Sequence, residues 1–366
     1  MTAIQTAPNE VRRFIVENQP VRGYWVDLES AWQDLRAHQD YPPEVRDLLG
    51  EAVSASVLLA ATLKFEGTLT LQLEGQGEVR LLVAQCTHDF RVRAVARLHD
   101  GDADADADDK SDVDGARNDV GLSGEERGSA GQRRGSSGEA RGAFLDLGTA
   151  AAGSDPFAGI SKAEKAATAQ TFRRLVGEHG RVLVTIEAAE RDMRYQGIVP
   201  LAGDSLSECL EEYFASSEQL PTRVRLAANG QRTVGLLVQK LPERNGDEAE
   251  RDSAAAAAWL AAERGIESVQ PAELVGGSLQ NVLANRFGQQ DVRVFKGAPV
   301  QFACRCSEAR VAGVLKTLGA EEVRDVLREQ GAVEVTCEFC QRPYRFDAFA
   351  VEQLFAPDPA PRGSLH

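Results

Sequence analysis

The sequence predicts an α+β fold in three segments: an N-terminal domain with a mixed or antiparallel sheet and helices, a helical linker region, and a small cysteine-rich C-terminal domain. Short runs of alternating apolar residues, separated by turn signals, indicate antiparallel strands in the first segment. Helical apolar stripes occur among those strands and again after a charged stretch that begins near residue 243. Four of the six cysteines lie within the last 63 residues, which marks the third segment.

The first segment, residues 1–242, carries the clearest strand patterns. Two runs in LTLQLEGQGEVRLLVAQ are predicted to place alternate residues on one face: Leu69, Leu71 and Leu73, then Val79, Leu81 and Val83. The stretch RVRAVARL (91–98) continues this meander, and Asn229-Gly230 is typical of a hairpin turn. A helix is predicted before the meander, with an apolar stripe formed by Leu48, Leu49, Val53, Val57 and Ala60.

An acidic insertion interrupts this domain at residues 100–142. It contains almost no large apolar side chain, so it cannot bury enough surface to offset the entropy of ordering. Its Asp-x-Asp alternation lacks the spaced glycine and terminal glutamate of an EF-hand calcium loop. We therefore expect a disordered, solvated surface loop.

The helical linker region, residues 243–296, is predicted to be conditionally stable. SAAAAAWLAAERG and SLQNVLANRFG read as short helices, with Ser253 and Ser278 as candidate N-caps. Their apolar faces are thin, with only Trp259 and Leu260 in the first helix. Such helices depend on tertiary contacts rather than on their own propensity.

Composition excludes several classes of function. The net charge of -15 argues against general binding of nucleic-acid phosphates or an anionic membrane surface. No apolar run is long enough to cross a bilayer, and the first residues lack the features of a secretory signal. We therefore expect a cytoplasmic protein whose cysteines are kept reduced.

The clustered cysteines predict a metal site in the third segment, residues 297–366. Cys304-x-Cys306 lies 30 residues before Cys337-x-x-Cys340, so two thiolate pairs flank one small structural unit. This arrangement is what a tetrahedral Cys₄ Zn²⁺ site needs, with Cys304, Cys306, Cys337 and Cys340 as ligands. A constitutive structural zinc ribbon in an interaction protein is the main alternative, and ordinary buried cysteines are a second one. The spacing alone leaves these open.

The remaining candidate groups point to no enzymatic activity. Cys86 and Cys209 fit small buried hydrophobes better than reactive thiols. His88-Asp89 and His179 were weighed for a hydrolase, but the sequence shows no nucleophile elbow to accompany them. We find no convincing active site and expect a protein that is not an enzyme.

Energetics allow a Cys₄ site to act as a switch. Structural zinc contributes roughly 10–16 kcal/mol of apparent binding free energy, whereas whole domains are stable by only about 5–15 kcal/mol. A small module built on zinc should therefore unfold when its thiolates are oxidised and the metal leaves. Zinc keeps the sulfurs deprotonated, and the thiolate is the form that oxidants attack.

The chain resembles the bacterial thirty-three-kilodalton chaperonin family, the redox-regulated heat-shock holdases. RYQGIVPLAGDSLSECLEEYFASSEQLPTR (194–223) and the tail CRC…VTCEFCQRPYRF carry the resemblance, which covers nearly all of the chain except 100–142. The family's four zinc ligands correspond to Cys304, Cys306, Cys337 and Cys340, with both spacings intact.

The resemblance implies an ATP-independent chaperone that is inactive when reduced and zinc-bound. Under oxidative and heat stress, Cys304–Cys306 and Cys337–Cys340 disulfides form, zinc is released and the linker unfolds. The exposed surface then holds unfolding client proteins, usually as a homodimer. The acidic insertion departs from the family pattern.

Overall fold

The computed structural model describes residues 8–99, 143–144, 161–188, 194–201, 203–242, 248–288 and 290–356. The predicted disordered insertion at 100–142 lies outside the described residues. The strands are β1 (Glu10–Val16), β2 (Val21–Leu28), β3 (Gly67–Glu74), β4 (Val79–Thr87), β5 (Arg91–Leu98), β6 (Ala143–Phe144), β7 (Arg181–Ala188), β8 (Arg194–Pro200), β9 (Thr222–Ala228), β10 (Thr233–Lys240), β11 (Val292–Val294), β12 (Ala298–Pro299), β13 (Gln301–Phe302), β14 (Val333–Thr336) and β15 (Pro343–Phe346). The helices are α1 (Ser30–Arg36), α2 (Pro43–Thr62), α3 (Lys162–Val176), α4 (Leu206–Tyr213), α5 (Glu248–Glu267), α6 (Pro271–Gly276), α7 (Leu279–Phe287), α8 (Glu308–Leu318), α9 (Ala320–Gln330) and α10 (Ala348–Leu354).

The predicted α+β class is confirmed. The first sheet has the strand order β6-β11-β1-β2-β10-β9, with β12 also paired to β1. The β9–β10 hairpin turns at Asn229-Gly230 as the sequence predicts, and Asn229 Oδ1 accepts from the Gln231 and Arg232 amides at 2.8 and 2.9 Å. In the described part of the chain, no helix combines the length and apolar character that crossing a bilayer requires.

The second sheet has the order β13-β5-β4-β3-β7-β8. Its β3–β4–β5 part is the predicted antiparallel meander, and β13 adds to β5 in parallel, which makes the sheet mixed. One detail of the prediction is wrong: the register of β4 shifts between Val79 and Leu81. Because a bulge moves the following residues to the other face, Leu82, Ala84 and Cys86 enter the core in place of Leu81 and Val83.

Helix α2 lies between the two sheets. This position explains why apolar residues occur on several of its faces rather than in a single stripe. It begins at Pro43, in the first turn where proline costs no hydrogen bond. Its predicted stripe is buried, and so are residues on its other faces, including Ala52, Ala55 and Leu58. The inner faces of both sheets pack with it in one apolar cluster.

Helices α5, α6 and α7 cover the outer face of the first sheet. Their buried side chains form a second cluster with that face, comprising Phe14, Val16, Val21, Trp25, Ala227, Val234, Leu236, Val238, Trp259, Ala262, Ile266, Val269, Leu274, Leu279, Val282, Leu283, Phe287, Val292 and Val294. This packing agrees with the prediction that these helices rely on tertiary contacts. Helix α5 has few large apolar side chains, and small alanines separate them.

Two details of the linker prediction are wrong. Leu260 is 48% exposed and lies off the buried face, whereas Ala262 and Ile266 complete it. Helix α5 begins at Glu248, so Ser253 lies inside it rather than at its N-cap. Ser278, by contrast, caps α7 by accepting from the Asn281 amide at 3.3 Å.

Partly buried polar contacts also connect the linker helices to the first sheet. Arg232 makes a bidentate pair with Asp27 and donates to the carbonyls of Val275 and Gly277 at 3.0 Å, where α6 ends. Arg223 on β9 pairs with Glu263 of α5. These contacts would be lost if the helices detached, so they favour the docked arrangement.

The C-terminal segment forms a small separate cluster. Helices α8 and α9 pack against the β14–β15 hairpin and α10 through Leu315, Val323, Val333, Phe346 and Val351. These side chains form a modest core, so the module needs a further source of stability.

We predict that Phe287→Ala loosens the linker helices selectively. Phe287 is 2% exposed and meets Phe14 edge-to-face with ring centroids 6.1 Å apart. Removing a buried phenylalanine costs about 3–5 kcal/mol. Hydrogen exchange should therefore accelerate over 255–287 while β3–β5 stay protected.

Leu260→Ala is the matched control, because its side chain lies outside the cluster. Substitutions at such exposed positions usually change stability by within about 0.5 kcal/mol. Equal acceleration in the two variants would contradict the assigned packing.

Candidate metal centre

Two short loops bring four thiols together in the C-terminal module. Cys304 and Cys306 lie between β13 and α8, and α8 begins immediately after its N-cap Ser307. Cys337 and Cys340 form the tight turn between β14 and β15. That turn closes by a bond from the Gln341 amide to the Cys337 carbonyl at 2.7 Å.

The four predicted ligands converge on one point. Their Sγ atoms all lie within 4.8 Å of one another. Across the two loops, Cys304 Sγ is 3.6 Å from Cys337 Sγ, and Cys306 Sγ is 3.4 Å from Cys340 Sγ. A tetrahedral zinc site with Zn–S bonds of about 2.3 Å has S···S edges of about 3.8 Å, so the sulfurs are spaced as such an ion requires.

The donor set is chemically selective. Four cysteine sulfurs in tetrahedral proximity favour zinc or an iron–sulfur centre over hard cations, which take oxygen ligands. All four cysteines are partly exposed, so the site is reachable from solvent. The residues therefore fit a metal held by thiolates, and a bound divalent ion would tie the two loops together.

The comparisons with known proteins identify the family. The profile of the family described as Hsp33 protein matches residues 9–347. The chain belongs to the Hsp33 family. It is 33% identical over 351 residues to the 33 kDa chaperonin of Methylobacillus flagellatus, covering 96% of this chain and 95% of that protein. It is 35% identical over 357 residues to the 33 kDa chaperonin of Neisseria meningitidis, covering 97% of this chain and 95% of the relative.

The fold likeness extends to a solved structure. The crystal structure of the 33 kDa chaperonin from Thermotoga maritima superposes with a TM-score of 0.65 at 19% identity, covering 94% of this chain and 97% of that one. This agreement concerns the fold. The curated relatives establish a chaperone family, which is not a class of enzymes.

The other two cysteines of this Hsp33 family member lie apart from the cluster. Cys86 is fully buried on β4, and burial raises the pKa of its thiol. Cys209 is 1% exposed on α4, and desolvation raises the pKa of its thiol as well. Both are therefore unreactive protonated thiols near neutral pH, as the sequence predicts.

The histidines weighed for a hydrolase have ordinary surroundings. His88 lies in the turn after β4, where its Nδ1 accepts from the Gly67 amide at 3.2 Å. His179 is an exposed residue between α3 and β7.

No sequence pattern indicates how the cysteine loops meet the second sheet. Arg305, between the first two thiols, donates to Thr68 Oγ1 at 2.8 Å and to Gln85 Oε1 at 3.2 Å. Desolvation, together with the nearby Arg93 and Arg310, lowers the pKa of the Arg305 guanidinium below its usual value.

The thiols differ in acidity. Desolvation raises the pKa of Cys304, and it raises the pKa of Cys340 to about 12. For Cys306, desolvation acts in the same direction, but the neighbouring Tyr344 hydroxyl and the other three thiols outweigh it and lower the pKa to about 7. At pH 8 the metal-free site therefore holds Cys306 largely as thiolate, whereas Cys304 and Cys340 keep their protons.

We predict that metal binding releases at least two protons per ion at pH 8. Thiolates are the ligands, so Cys304 and Cys340 must both be deprotonated on binding. The apparent affinity for zinc should then fall by at least about a hundredfold for each pH unit lowered. Chelator competition at several pH values measures this slope. A release of fewer than two protons per ion would contradict the assigned ligands.

Proposed function

We propose that this chain is a redox-regulated, ATP-independent holdase that protects unfolding proteins from aggregation under oxidative and heat stress. In the reduced state Cys304, Cys306, Cys337 and Cys340 would hold one Zn²⁺, and the protein would be inactive. The observation that carries the proposal is the convergence of four partly exposed thiols in a chain of the Hsp33 family.

Bound zinc would keep the four sulfurs deprotonated and cross-link the two loops. The module depends on that cross-link because its apolar core is small. Structural zinc contributes roughly 10–16 kcal/mol, which is comparable to the whole stability of a domain. The thiolates that provide this stability are also the groups that a hydroperoxide attacks.

Oxidation would remove the ligands in two steps for each pair. One thiolate attacks the peroxide oxygen, which breaks the O–O bond, forms a sulfenic acid and releases one water after protonation. The second thiolate of the pair displaces the sulfenic hydroxyl as a second water, which leaves a disulfide and consumes two electrons from sulfur. The products that the family resemblance implies are Cys304–Cys306 and Cys337–Cys340, each within one short loop. With all four thiolates consumed, the site can no longer hold a metal.

Loss of the metal site would affect the linker helices because short strands connect the two directly in the chain. Strands β11, β12 and β13 run directly into Cys304 and attach to β1 and β5. Just before them, α5–α7 cover the outer face of the first sheet. Strands of two or three residues form few hydrogen bonds, so disorder that begins at the cysteine loops can extend back to these helices.

Unfolding of the linker would expose the client-binding surface. The face beneath it carries Phe14, Val16, Trp25, Leu236 and Val238, all at most 2% exposed. Contiguous apolar patches of this kind bind other apolar surfaces, including those of partly unfolded proteins. The same surface would serve the homodimer that we propose for the oxidised form.

We propose three functional segments on this basis. Residues 1–242 form the core domain, residues 243–296 the redox-labile linker and residues 297–366 the switch domain. We place the protein in the cytoplasm, where the reduced, metal-bound state is maintained.

The direct test follows zinc and client protection in the same sample. The reduced, zinc-loaded protein is treated with hydrogen peroxide at raised temperature. We expect one zinc per chain to react with a chromogenic chelator, and light scattering from an aggregating client protein to fall only after that release. Peptide mapping should find disulfides within each cysteine pair.

Cys209→Ala is the control for the other thiols, because Cys209 is buried and lies outside the cluster. This variant should release zinc and protect the client as wild type does. If zinc stays bound under peroxide and client protection does not depend on redox state, the proposal is wrong. That outcome would favour an interaction protein with a constitutive zinc ribbon.

A further inference from the structure

The residues enclosed by the two cysteine pairs make contacts that the metal site does not require. Arg305 lies between Cys304 and Cys306, and its side chain reaches the second sheet rather than the sulfurs. Its Nη1 donates to Thr68 Oγ1 on β3 at 2.8 Å, and its Nη2 donates to Gln85 Oε1 on β4 at 3.2 Å.

The second pair repeats this arrangement. Glu338, between Cys337 and Cys340, forms an ion pair with Arg97 on β5 at 2.5 Å. Its neighbour Phe339 lies under the Arg93 guanidinium, which is 4.1 Å from the ring centroid. Gln39 also donates a hydrogen bond to the Glu338 carbonyl.

Gln85 joins the two sets of contacts. Its Oε1 accepts from Arg305 Nη2 and also from Arg93 Nε at 2.7 Å, while its Nε2 donates to Thr70 Oγ1 at 3.0 Å. Both cysteine loops therefore rest on one polar patch of β3–β5. We call this set the docking clamp; it comprises Arg305, Glu338 and Phe339 of the cysteine loops with Thr68, Gln85, Arg93 and Arg97 of the sheet.

We propose that the docking clamp holds the cysteine module closed on the second sheet and thereby sets how readily the module opens to an oxidant. This inference rests on the proposed function and assigns a regulatory role to residues that are not metal ligands. The closed state also keeps β13 on β5, where the Ala303 amide donates to the Val92 carbonyl at 3.0 Å, one residue before Cys304.

The clamp and the disulfides require different loop conformations. The clamp residues sit inside loops whose sulfurs are spaced for a metal, at 3.4 and 3.6 Å between the loops. A disulfide within a loop brings two sulfurs to about 2.05 Å and rotates the residues between them. Because Arg305 lies between the sulfurs of one pair, and Glu338 and Phe339 between those of the other, we expect closure of either disulfide to weaken the contacts of that loop with the sheet. Conversely, weakening the clamp raises the population of the open state.

Most of the substitutions that test the clamp are on the sheet side and leave the cysteine loops unchanged. Arg93→Ala/Arg97→Ala removes both cationic partners, and Arg97→Gln is a milder variant at a half-exposed site. Arg181→Ala is the matched control: Arg181 is an exposed arginine of the same sheet that pairs with Glu74 on β3. Arg97→Glu alone should weaken docking. Arg97→Glu combined with Glu338→Arg reverses the ion pair and should restore docking.

The first measurement is hydrogen exchange on the reduced, zinc-loaded proteins. We expect the double variant to speed exchange in the peptide 301–303 about threefold to tenfold, in keeping with the loss of exposed polar contacts. Peptides of α9 and of the β9–β10 hairpin should exchange as in wild type, which would show that the module and the core remain folded.

The second measurement is the rate of zinc release under peroxide. The double variant should release zinc about threefold to tenfold faster than wild type, Arg97→Gln should lie between them, and Arg181→Ala should match wild type. Unchanged exchange at 301–303 together with unchanged release in the double variant would overturn the clamp. If zinc is retained by every protein, the proposed function fails, and exchange at 301–303 still decides whether the clamp exists.

Discussion

The convergence of four sulfurs is the constraint on which the C-terminal module depends. The two cysteine loops are separated by α8, α9 and β14 in the chain, and the side chains that pack between these elements form only a small core. A metal held by Cys304, Cys306, Cys337 and Cys340 would supply the missing stability. Since that stability resides in thiolates, it is sensitive to oxidants in a way that apolar packing is not.

In the proposed mechanism, the layers of the structure connect the cysteine module to an apolar surface. The first sheet is covered on both faces, by α2 within the main core and by α5–α7 on the outside. The main core contains long, buried strands paired along their whole length. The outer layer is held by a thinner helix face and by a few polar contacts, such as the Arg223–Glu263 ion pair and the hydrogen bonds from Arg232 to the carbonyls of Val275 and Gly277. We therefore propose that a disturbance at the cysteine module affects the outer layer first.

The sequence predicted most of the architecture because its local signals agreed with the final structure. Alternation identified the strands, Asn229-Gly230 identified the hairpin, and the cysteine spacing identified the members of the cluster. The errors have local causes. A bulge after Val79 moves the following residues of β4 to the opposite face of the sheet. Helix α5 begins at Glu248, so the helix already includes its candidate cap Ser253.

The contacts of the cysteine loops with the second sheet could not be predicted in the same way. Arg305 and its partner Thr68 are far apart in the chain, and nothing in the local pattern of either loop indicates the other. Charge alone is no guide, because exposed arginines and glutamates are frequent along this chain. Such long-range polar contacts follow from how the elements pack, which periodicity does not specify.

We propose that cysteine oxidation and linker unfolding are one coupled event. Hydrogen exchange over residues 255–287, measured as the four thiols are progressively oxidised, tests it most directly. We expect protection of this segment to be lost in step with disulfide formation, while β3–β5 and β9–β10 remain protected. Full protection of 255–287 in the oxidised, metal-free protein would contradict it.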